Sequence, residues 1–248
     1  MIDQPDILVL LRLIAAHLAA DFLLQPQSWI EKRKKSNIRA PQLYYHVGIV
    51  GILTYVFLWD GAEIFLPLFI MVTHFVIDGW KSTRKESAIA FVTDQTAHLL
   101  MILAGWAVYT GTGSEMLQSL LNLIENPAFW AVLIGYIIVI WPFGFLIDRL
   151  TQRWQEELRT ADAGGLPGLE KAGLWIGRSE RFIILTLILL NQYGAIGFLI
   201  AAKSVFRFSG SLEGNRDRKE AEYILIGTLL SFIFAIVTGI GVRYFLAG

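Results

Sequence analysis

Residues 65–80 read FLPLFIMVTHFVIDGW, an apolar run that carries a histidine and an aspartate four positions apart, His74 and Asp78. A helix that crosses a membrane needs about 20 predominantly apolar residues. The apolar residues of this run are consecutive, whereas a transmembrane β-strand alternates apolar and polar positions. The stretch therefore predicts a transmembrane helix that presents a polar pair on one of its faces.

The composition of the whole chain agrees with a membrane protein. Of the 248 residues, 55% are hydrophobic and only 17% are charged, and the mean hydropathy is +0.54. A soluble domain carries about 25% charged residues, so a disordered chain, a solvated single domain and a collagen-like fibre are excluded. The net charge is zero and there is no cysteine. We therefore expect no nucleic-acid partner, no disulfide and no thiolate metal ligand.

Eight apolar runs predict an all-α fold, a polytopic transmembrane helix bundle of about eight spans. The runs cover residues 7–24, 43–59, 62–80, 88–109, 130–147, 174–190, 193–206 and 223–245. Only Asn191 and Gln192 separate the sixth run from the seventh, which is short. These two runs are therefore expected to form a hairpin that either crosses the membrane or re-enters on the same side.

The basic residues indicate an orientation in the membrane. The loops at residues 25–42, 81–87, 149–171 and 203–222 together hold 17 of the 21 lysines and arginines. The positive-inside rule places these loops in the cytoplasm and both termini outside. We divide the chain into a four-span half at residues 1–110, an outer amphipathic segment at residues 111–129 and a supporting four-span half at residues 130–248.

Each of the first four spans contains one of the four histidines, and three of these have an aspartate four residues away. The pairs are His17/Asp21, His74/Asp78 and Asp94/His98, whereas His46 has no such neighbour. Positions i and i+4 share a helix face. Because successive spans run in opposite directions, a rise of 1.5 Å per residue brings all seven side chains within about 15 Å of the cytoplasmic boundary.

This convergence predicts a metal site. An ionisable group in hydrocarbon costs a few kcal/mol, so buried charges are paired or bind a metal. Imidazole and carboxylate ligands without sulfur suit Zn, Mn or Fe(II). We expect one or two divalent metal ions, with ligands drawn from His17, Asp21, His46, His74, Asp78, Asp94 and His98. The alternative is that these residues form hydrogen bonds between spans or relay protons.

A second polar cluster stands at the start of the sixth span and contains Glu170, Lys171, Arg178, Glu180 and Arg181. Arginine binds phosphate and carboxylate groups with two parallel hydrogen bonds. Arg178, Glu180 and Arg181, together with Lys81 near the metal site, are therefore the predicted substrate-binding residues. The alternative is a network of Arg–Glu pairs that locks spans five to seven together.

Four segments of the chain resemble an uncharacterised bacterial integral membrane family, domain of unknown function 3307. They are HLAADFLLQ at residues 17–25, HFVID at residues 74–78 with Lys81, DQTAH at residues 94–98, and the segment from Glu170 to Arg181. The resemblance covers most of the chain and implies a protein of the bacterial inner membrane, without implying a particular activity. The His/Asp pattern is also similar in style to that of membrane-bound metal-dependent hydrolases.

The leading functional hypothesis is a metal-dependent intramembrane hydrolase that works from the cytoplasmic leaflet. A metal-bound water would attack an anionic, phosphate-containing lipid, with Asp94 and His98 as catalytic residues and Asp94 as general base. One alternative is a transporter of divalent cations or protons that uses the same cluster. The other is a non-catalytic membrane partner protein. The apolar outer halves of the spans favour a site that opens on one side only, and therefore an enzyme.

Overall fold

The computed structural model describes the backbone of residues 3–160, 169–208 and 215–248, and side chains for residues 3–157, 172–203 and 222–248. Every regular element in these ranges is helical. The chain forms two compact units, Met1–Asn122 and Leu123–Gly248. The expectation of an all-α fold is confirmed.

The first unit contains five long helices and two short helical turns before the helix that leads into the second unit. The elements are α1 (Gln4–Leu18), a π-helical turn (Ala19–Leu23), α2 (Gln27–Ser36), a 3₁₀ turn (Asn37–Arg39), α3 (Pro41–Leu58), α4 (Phe65–Ser82), α5 (Ala88–Thr110) and α6 (Gly113–Glu125). Proline occupies the first turn of α1 and α3, where its missing N–H costs no hydrogen bond. Ser87 caps α5 by accepting a hydrogen bond from the Ala90 amide.

Four of these helices form a closed bundle. Helix α3 packs against α1 and α4, and α5 packs against the other sides of α4 and α1. The apolar core of the bundle consists mainly of Leu13, Val50, Leu58, Leu66, Ile70, Ile102 and Trp106. Since each of the four helices carries one histidine, this arrangement can bring all four imidazoles to the bundle axis.

The first helix does not continue straight into α2. The stretch Gln4–Leu23 meets Gln27–Arg39 at an angle of 82°, and α2 folds back against α3. The last turn before the bend is a π-helix that contains Asp21. Such π-helical turns are rare and often lie at functional sites.

The second unit consists of α7 (Pro127–Ile140), α8 (Pro142–Thr160), α9 (Leu169–Leu189), α10 (Tyr193–Phe208) and α11 (Asn215–Ala247). Helix α11 packs against α7, α8 and α9, around a core that includes Val139, Ile184, Leu185, Ile188 and Phe232. Asn191 adopts a positive φ of 62° between α9 and α10. The chain therefore turns where the sequence predicts a hairpin.

The prediction of eight spans is not supported. Among the described residues, four helical stretches are long and apolar enough to cross a membrane, judged by length and composition: Pro41–Leu58, Ala88–Thr110, Pro127–Glu157 and Glu222–Ala247. The bent pair around α1 and α2 raises the number to five if it counts as one span. Several apolar helices of this kind are consistent with a membrane protein.

The remaining predicted spans are helical but fail this criterion for physical reasons. Helix α4 includes His74, Asp78 and Lys81, and α9 includes both Arg178 and Arg181, so charged and polar side chains lower their mean hydropathy. The apolar part of α10, Tyr193–Lys203, is too short. Run length alone therefore overestimates the number of full spans.

The close approach of α9 and α11 gives a test of the packing in the second unit. A Cβ atom added at Gly239 would lie 2.7 Å from Cδ1 and 3.0 Å from Cβ of Ile188, whereas one added at Gly241 would meet no atom within 4 Å. We expect Gly239→Ala to lower the free energy of unfolding by about 1–3 kcal/mol through overpacking. Gly241→Ala is the matched control and should be neutral or slightly stabilising, because alanine favours a helix over glycine.

The measurement is the unfolding transition of the purified variants in detergent, followed by helical circular dichroism. Equal stability of the Gly239→Ala and Gly241→Ala variants would contradict the close packing of α9 on α11.

Candidate metal centre

The four-helix bundle of the first unit brings together all seven histidine and aspartate residues singled out from the sequence. His17, His46, His74, Asp78, Asp94 and His98 are buried, and the side chain of Asp21 is only 7% exposed. Three groups of three could each hold a metal ion, because their ligand atoms lie within 4.8 Å of one another. These groups are His17/Asp21/His74, His46/His74/Asp78 and Asp78/Asp94/His98.

The closest set of ligand atoms joins α3, α4 and the π-helical turn. Nε2 of His46 lies 2.9 Å from Nε2 of His74. Oδ1 of Asp21 lies 3.2 Å from the first of these nitrogens and 3.4 Å from the second. Ligands bound 2.0–2.2 Å from a tetrahedral ion stand about 3.3–3.6 Å apart. The two edges to Asp21 are close to this spacing, whereas the 2.9 Å edge between the imidazole nitrogens is at hydrogen-bond distance and would have to lengthen for both to bind one ion.

The Asp21 oxygen of this triangle is buried and makes no well-aligned hydrogen bond; its nearest polar neighbours are the two imidazole nitrogens. A buried carboxylate oxygen that faces neutral imidazoles loses its hydration without a full hydrogen bond to replace it. A cation bound between Asp21, His46 and His74 would remove that cost. The donor set of two nitrogens and one oxygen fits a divalent metal ion.

Asp78 is nearby but already has a cationic partner. Its Oδ2 accepts a hydrogen bond from the guanidinium of Arg33, and it lies 3.6 and 3.7 Å from Nε2 of His46 and His74. Arg33 is 3% exposed, so its charge is fully committed to this pair. The positive charge of Arg33 makes Asp78 a weaker candidate ligand than Asp21.

Asp94 is neutralised in the same way by Lys81, whose Nζ lies 2.5 Å from its Oδ2. The backbone carbonyl of Asp94 lies 3.0 Å from Nδ1 of His98. A carbonyl can only accept, so Nδ1 of His98 carries the proton and Nε2 has the free lone pair. That Nε2 is buried and has no hydrogen-bond partner. His98 therefore offers an unused base to whatever lies next to it.

A small cavity adjoins this lone pair. It is lined by His17, His74 and His98 together with Ile70, Thr73, Met101 and Ile102, and it measures about 10 Å³. This volume is close to the lower limit for one water molecule. The ring of His98 lies 4.1 Å from that of His74, centroid to centroid. A water or ion in this cavity would touch both rings.

The side chain of Gln95 forms hydrogen bonds with three members of the cluster. Its amide nitrogen lies 3.3 Å from Oδ2 of Asp21 and 3.1 Å from Oδ2 of Asp94. Its amide oxygen lies 3.4 Å from Nε2 of His17. One side chain therefore links carboxylates from two elements to the histidine of α1 and limits how far they can move.

The sequence analysis missed both Gln95 and Arg33 as parts of the site. Gln95 lies inside the 94–98 motif, and its amide is the signal that was available. Arg33 belongs to a run of four basic residues that predicts only a solvated loop. The half-buried Trp29 and Ile30, one turn earlier on α2, are the signal that this face of the helix points inward.

The charges of the cluster favour one divalent ion over two. Of the three aspartates, Asp78 pairs with Arg33 and Asp94 pairs with Lys81. Asp21 has no lysine or arginine partner among the described residues; its neighbours are imidazoles and the neutral amide of Gln95. A single divalent cation beside Asp21 leaves one positive charge, which a water or an anionic ligand can stabilise, whereas a second divalent cation would leave three.

Of the predicted substrate-binding residues, Lys81 lies at this centre and the others belong to the second unit. Arg181 is buried and donates hydrogen bonds to the carbonyls of Val139 and Ile140 and to the hydroxyl of Ser231. These two carbonyls end α7, where they lack partners within the helix. Arg181 therefore caps α7.

The other members of that cluster also have local partners. Glu180 lies 2.5 Å from Nζ of Lys203, and the guanidinium of Arg178 lies 5.6 Å from the ring centre of Trp175. Glu170 and Lys171 lie outside the described side chains. An anion clamp at Arg178 and Arg181 stays a prediction.

Comparison with known protein families gives a match to part of the chain. Residues 9–126 match a family described as "Protein of unknown function (DUF3307)", and this range contains every histidine and aspartate of the centre. The segment from Glu170 to Arg181, which the sequence analysis also compared with this family, lies outside the matched residues. No curated protein and no solved structure matches the chain.

Proposed function

We propose that the domain at residues 9–126, which matches the DUF3307 family, is a metal-dependent hydrolase of the bacterial inner membrane that holds one divalent cation between Asp21, His46 and His74. The observation that carries the proposal is the buried triangle of Nε2, Nε2 and Oδ1 atoms, with edges of 2.9, 3.2 and 3.4 Å. Zn, Mn and Fe(II) all accept such a donor set.

The residues around the triangle suit hydrolysis. A divalent cation bound there would make a bound water more acidic and would polarise an oxygen of the substrate. His98 presents its free Nε2 lone pair to the adjoining cavity and would accept the proton that the attacking water loses. Asp94 holds the ring of His98 in this orientation through its backbone carbonyl, and Lys81 fixes the side chain of Asp94.

This assignment gives the role of general base to His98 and the role of positioning residue to Asp94. The carboxylate of Asp94 is committed to Lys81, which makes it a weaker base than an unpaired imidazole. The sequence analysis favoured Asp94 because the position of Lys81 was not known.

The substrate that suits these charges is an anionic, phosphate-containing lipid that enters from the cytoplasmic leaflet. The segment at residues 25–42, which contains α2, and the segment at residues 81–87, which follows α4, are both basic. The positive-inside rule favours the cytoplasmic side for these loops. Arg33 and Lys81 bring two of these charges into the cluster itself.

Transport of a divalent cation or proton through the same cluster is the alternative. A transported ion needs a polar path to the far side of the membrane, but the bundle beyond the histidines is closed by Leu66, Ile70 and Ile102. The cavity beside the histidines holds at most about one water molecule. These features favour an enzyme.

His98→Gln tests the hydrolase proposal. In proteoliposomes supplied with Zn²⁺ or Mn²⁺, the unsubstituted protein should release phosphate from phosphatidic acid or a polyprenyl phosphate. The variant should lose about 10²- to 10⁴-fold of that rate, which is what general base catalysis contributes. Its metal content should stay unchanged, because His98 lies outside the metal triangle.

The same vesicles distinguish hydrolysis from transport. Uptake of the metal ion that requires Asp94, without release of phosphate from either lipid, would replace the hydrolase proposal with the transporter. Loss of bound metal from the His98→Gln variant would instead show that His98 is a ligand and not a base.

A further inference from the structure

A surface pocket of about 520 Å³ lies in the first unit, at the end of the helix that carries His74 and Asp78. It is lined by residues 82–86, which end α4 and start its connection to α5, by Lys34 on α2 and by Asn37 in the 3₁₀ turn that follows α2. Pockets for small ligands measure roughly 300–1,000 Å³. The pocket is therefore large enough for the headgroup of a lipid.

The pocket is basic, and its charge is only partly compensated. Lys34 forms an ion pair with Glu86, and the ammonium group of Lys34 holds the pKa of Glu86 below its ordinary value. In the described part of the chain, no acidic side chain pairs with Arg84 or Lys85. Arg84 lies over the ring of Trp80, 5.2 Å from its centre. Two cations are thus available to an anionic ligand.

The end of a helix normally repels an anion, because its last carbonyls carry partial negative charge. At the end of α4, the Trp80 carbonyl accepts from the hydroxyl of Thr83 at 2.7 Å, and the Lys81 carbonyl accepts from the amide of Arg84 at 3.0 Å. These bonds satisfy two of the exposed carbonyls. The side chains of Lys34, Asn37, Arg84 and Lys85 remain as donors towards the pocket.

Exposed aromatic side chains near the pocket are of the type that lies at a membrane surface. Trp80 precedes the lining residues on α4 and is 39% exposed. Trp29 on α2 contacts Tyr45 on α3, with ring centres 6.0 Å apart, and Tyr45 is 60% exposed. Tryptophan and tyrosine concentrate where the headgroups of a bilayer meet its hydrocarbon. A ligand in the pocket would therefore be at headgroup height.

The pocket and the metal centre share two elements. Ser82, in the pocket lining, follows Asp78 by one turn of α4, a rise of about 6 Å at 1.5 Å per residue. Lys34, also in the lining, directly follows Arg33, which binds Asp78. An anion in the pocket would be held beside the buried cluster.

We propose that this pocket binds the phosphate group of an anionic lipid, with Arg84 and Lys85 as the main cationic contacts. The assignment gives the proposed hydrolase a binding site for its substrate headgroup, and in that respect it rests on the proposed function. The binding step itself needs no metal. It can therefore be tested separately from hydrolysis.

The test is calorimetric titration of the purified full chain in non-ionic detergent, with EDTA present to prevent turnover. The probes are dihexanoyl phosphatidic acid, dihexanoyl phosphatidylcholine and inorganic phosphate. We expect the phosphatidic acid to bind at least tenfold more tightly than the other two. The double variant Arg84→Gln/Lys85→Gln should weaken its binding at least tenfold.

The matched control is Lys32→Gln/Lys35→Gln, which removes two exposed charges from α2 that do not line the pocket. Its affinity should change by less than about twofold, since a screened charge outside the pocket contributes little. Equal losses in the two double variants would overturn the pocket in favour of general charge attraction. Inorganic phosphate that binds as tightly as the lipid would overturn the lipid assignment.

Unchanged metal content in both double variants would show that metal binding does not depend on these four basic residues. Conversely, absence of metal from the unsubstituted protein would remove the proposed hydrolase without affecting the titration. The two proposals can therefore fail independently.

Discussion

Substitution of His74 by alanine should empty the metal centre. The unsubstituted protein is expected to contain about one divalent cation per chain, and His74→Ala is expected to lose at least 100-fold in metal affinity. Removal of a partner outside the coordination sphere already costs 10- to 100-fold, and His74 supplies a ligand atom itself. Its Nε2 lies 2.9 Å from that of His46 and 3.4 Å from Oδ1 of Asp21.

The measurement is elemental analysis of purified protein, followed by competition with a metal-binding dye to obtain the affinity. His17→Gln is the informative comparison. Nδ1 of His17 lies 3.9 Å from Oδ1 of Asp21, and its Nε2 faces Gln95, so this variant should retain its metal. Circular dichroism controls for loss of the fold. A folded, unsubstituted protein that binds no divalent cation at stoichiometric amounts would refute the metal centre.

The second large effect is expected at Arg33. Substitution by alanine would leave the buried carboxylate of Asp78 without its cation, and the loss of one partner of a buried ion pair costs about 3–5 kcal/mol. Lys32→Ala, one residue earlier and exposed, should change the free energy of unfolding by no more than about 0.5 kcal/mol. Thermal or detergent-induced unfolding, followed by circular dichroism, measures both.

A double variant separates the charge pair from simple packing. Arg33→Met/Asp78→Asn removes both charges, so it should recover a substantial part of the stability lost in Arg33→Ala. If the double variant were as unstable as the single one, the contribution of Arg33 would come from its aliphatic contacts. If Arg33→Ala were as stable as Lys32→Ala, the buried pair itself would be wrong.

The sequence was sufficient to predict the helices and the members of the cluster because both depend on local spacing. The i, i+4 pairs at His74/Asp78 and Asp94/His98 share a helix face in any regular helix. The prediction is less exact at His17 and Asp21, since Asp21 lies in a π-helical turn. That turn brings Oδ1 of Asp21 closer to His46 and His74 than to His17.

The features of the site that could not be predicted from the sequence depend on contacts between distant segments. The partnership of Arg33 with Asp78 requires the 82° bend that folds α2 back on the bundle, and a basic run contains no information about such a bend. The role of Gln95 depends on its simultaneous proximity to Asp21 and Asp94. The predicted number of full spans was wrong for a related reason. Helix α4 contains polar residues whose hydrogen bonds and charges only a neighbouring helix can satisfy.

The order of the donors along the chain has a consequence for how the protein is made. Asp21, His46 and His74 are all synthesised before α5 begins at Ala88, whereas His98 and Gln95 come later. A cation could therefore join α3 and α4 to the π-helical turn after α1 while the ribosome is still translating the rest. In a cell starved of that ion, newly made chains would enter the bilayer with the charge of Asp21 unpaired. We expect cellular proteases to degrade such chains faster than metal-loaded ones.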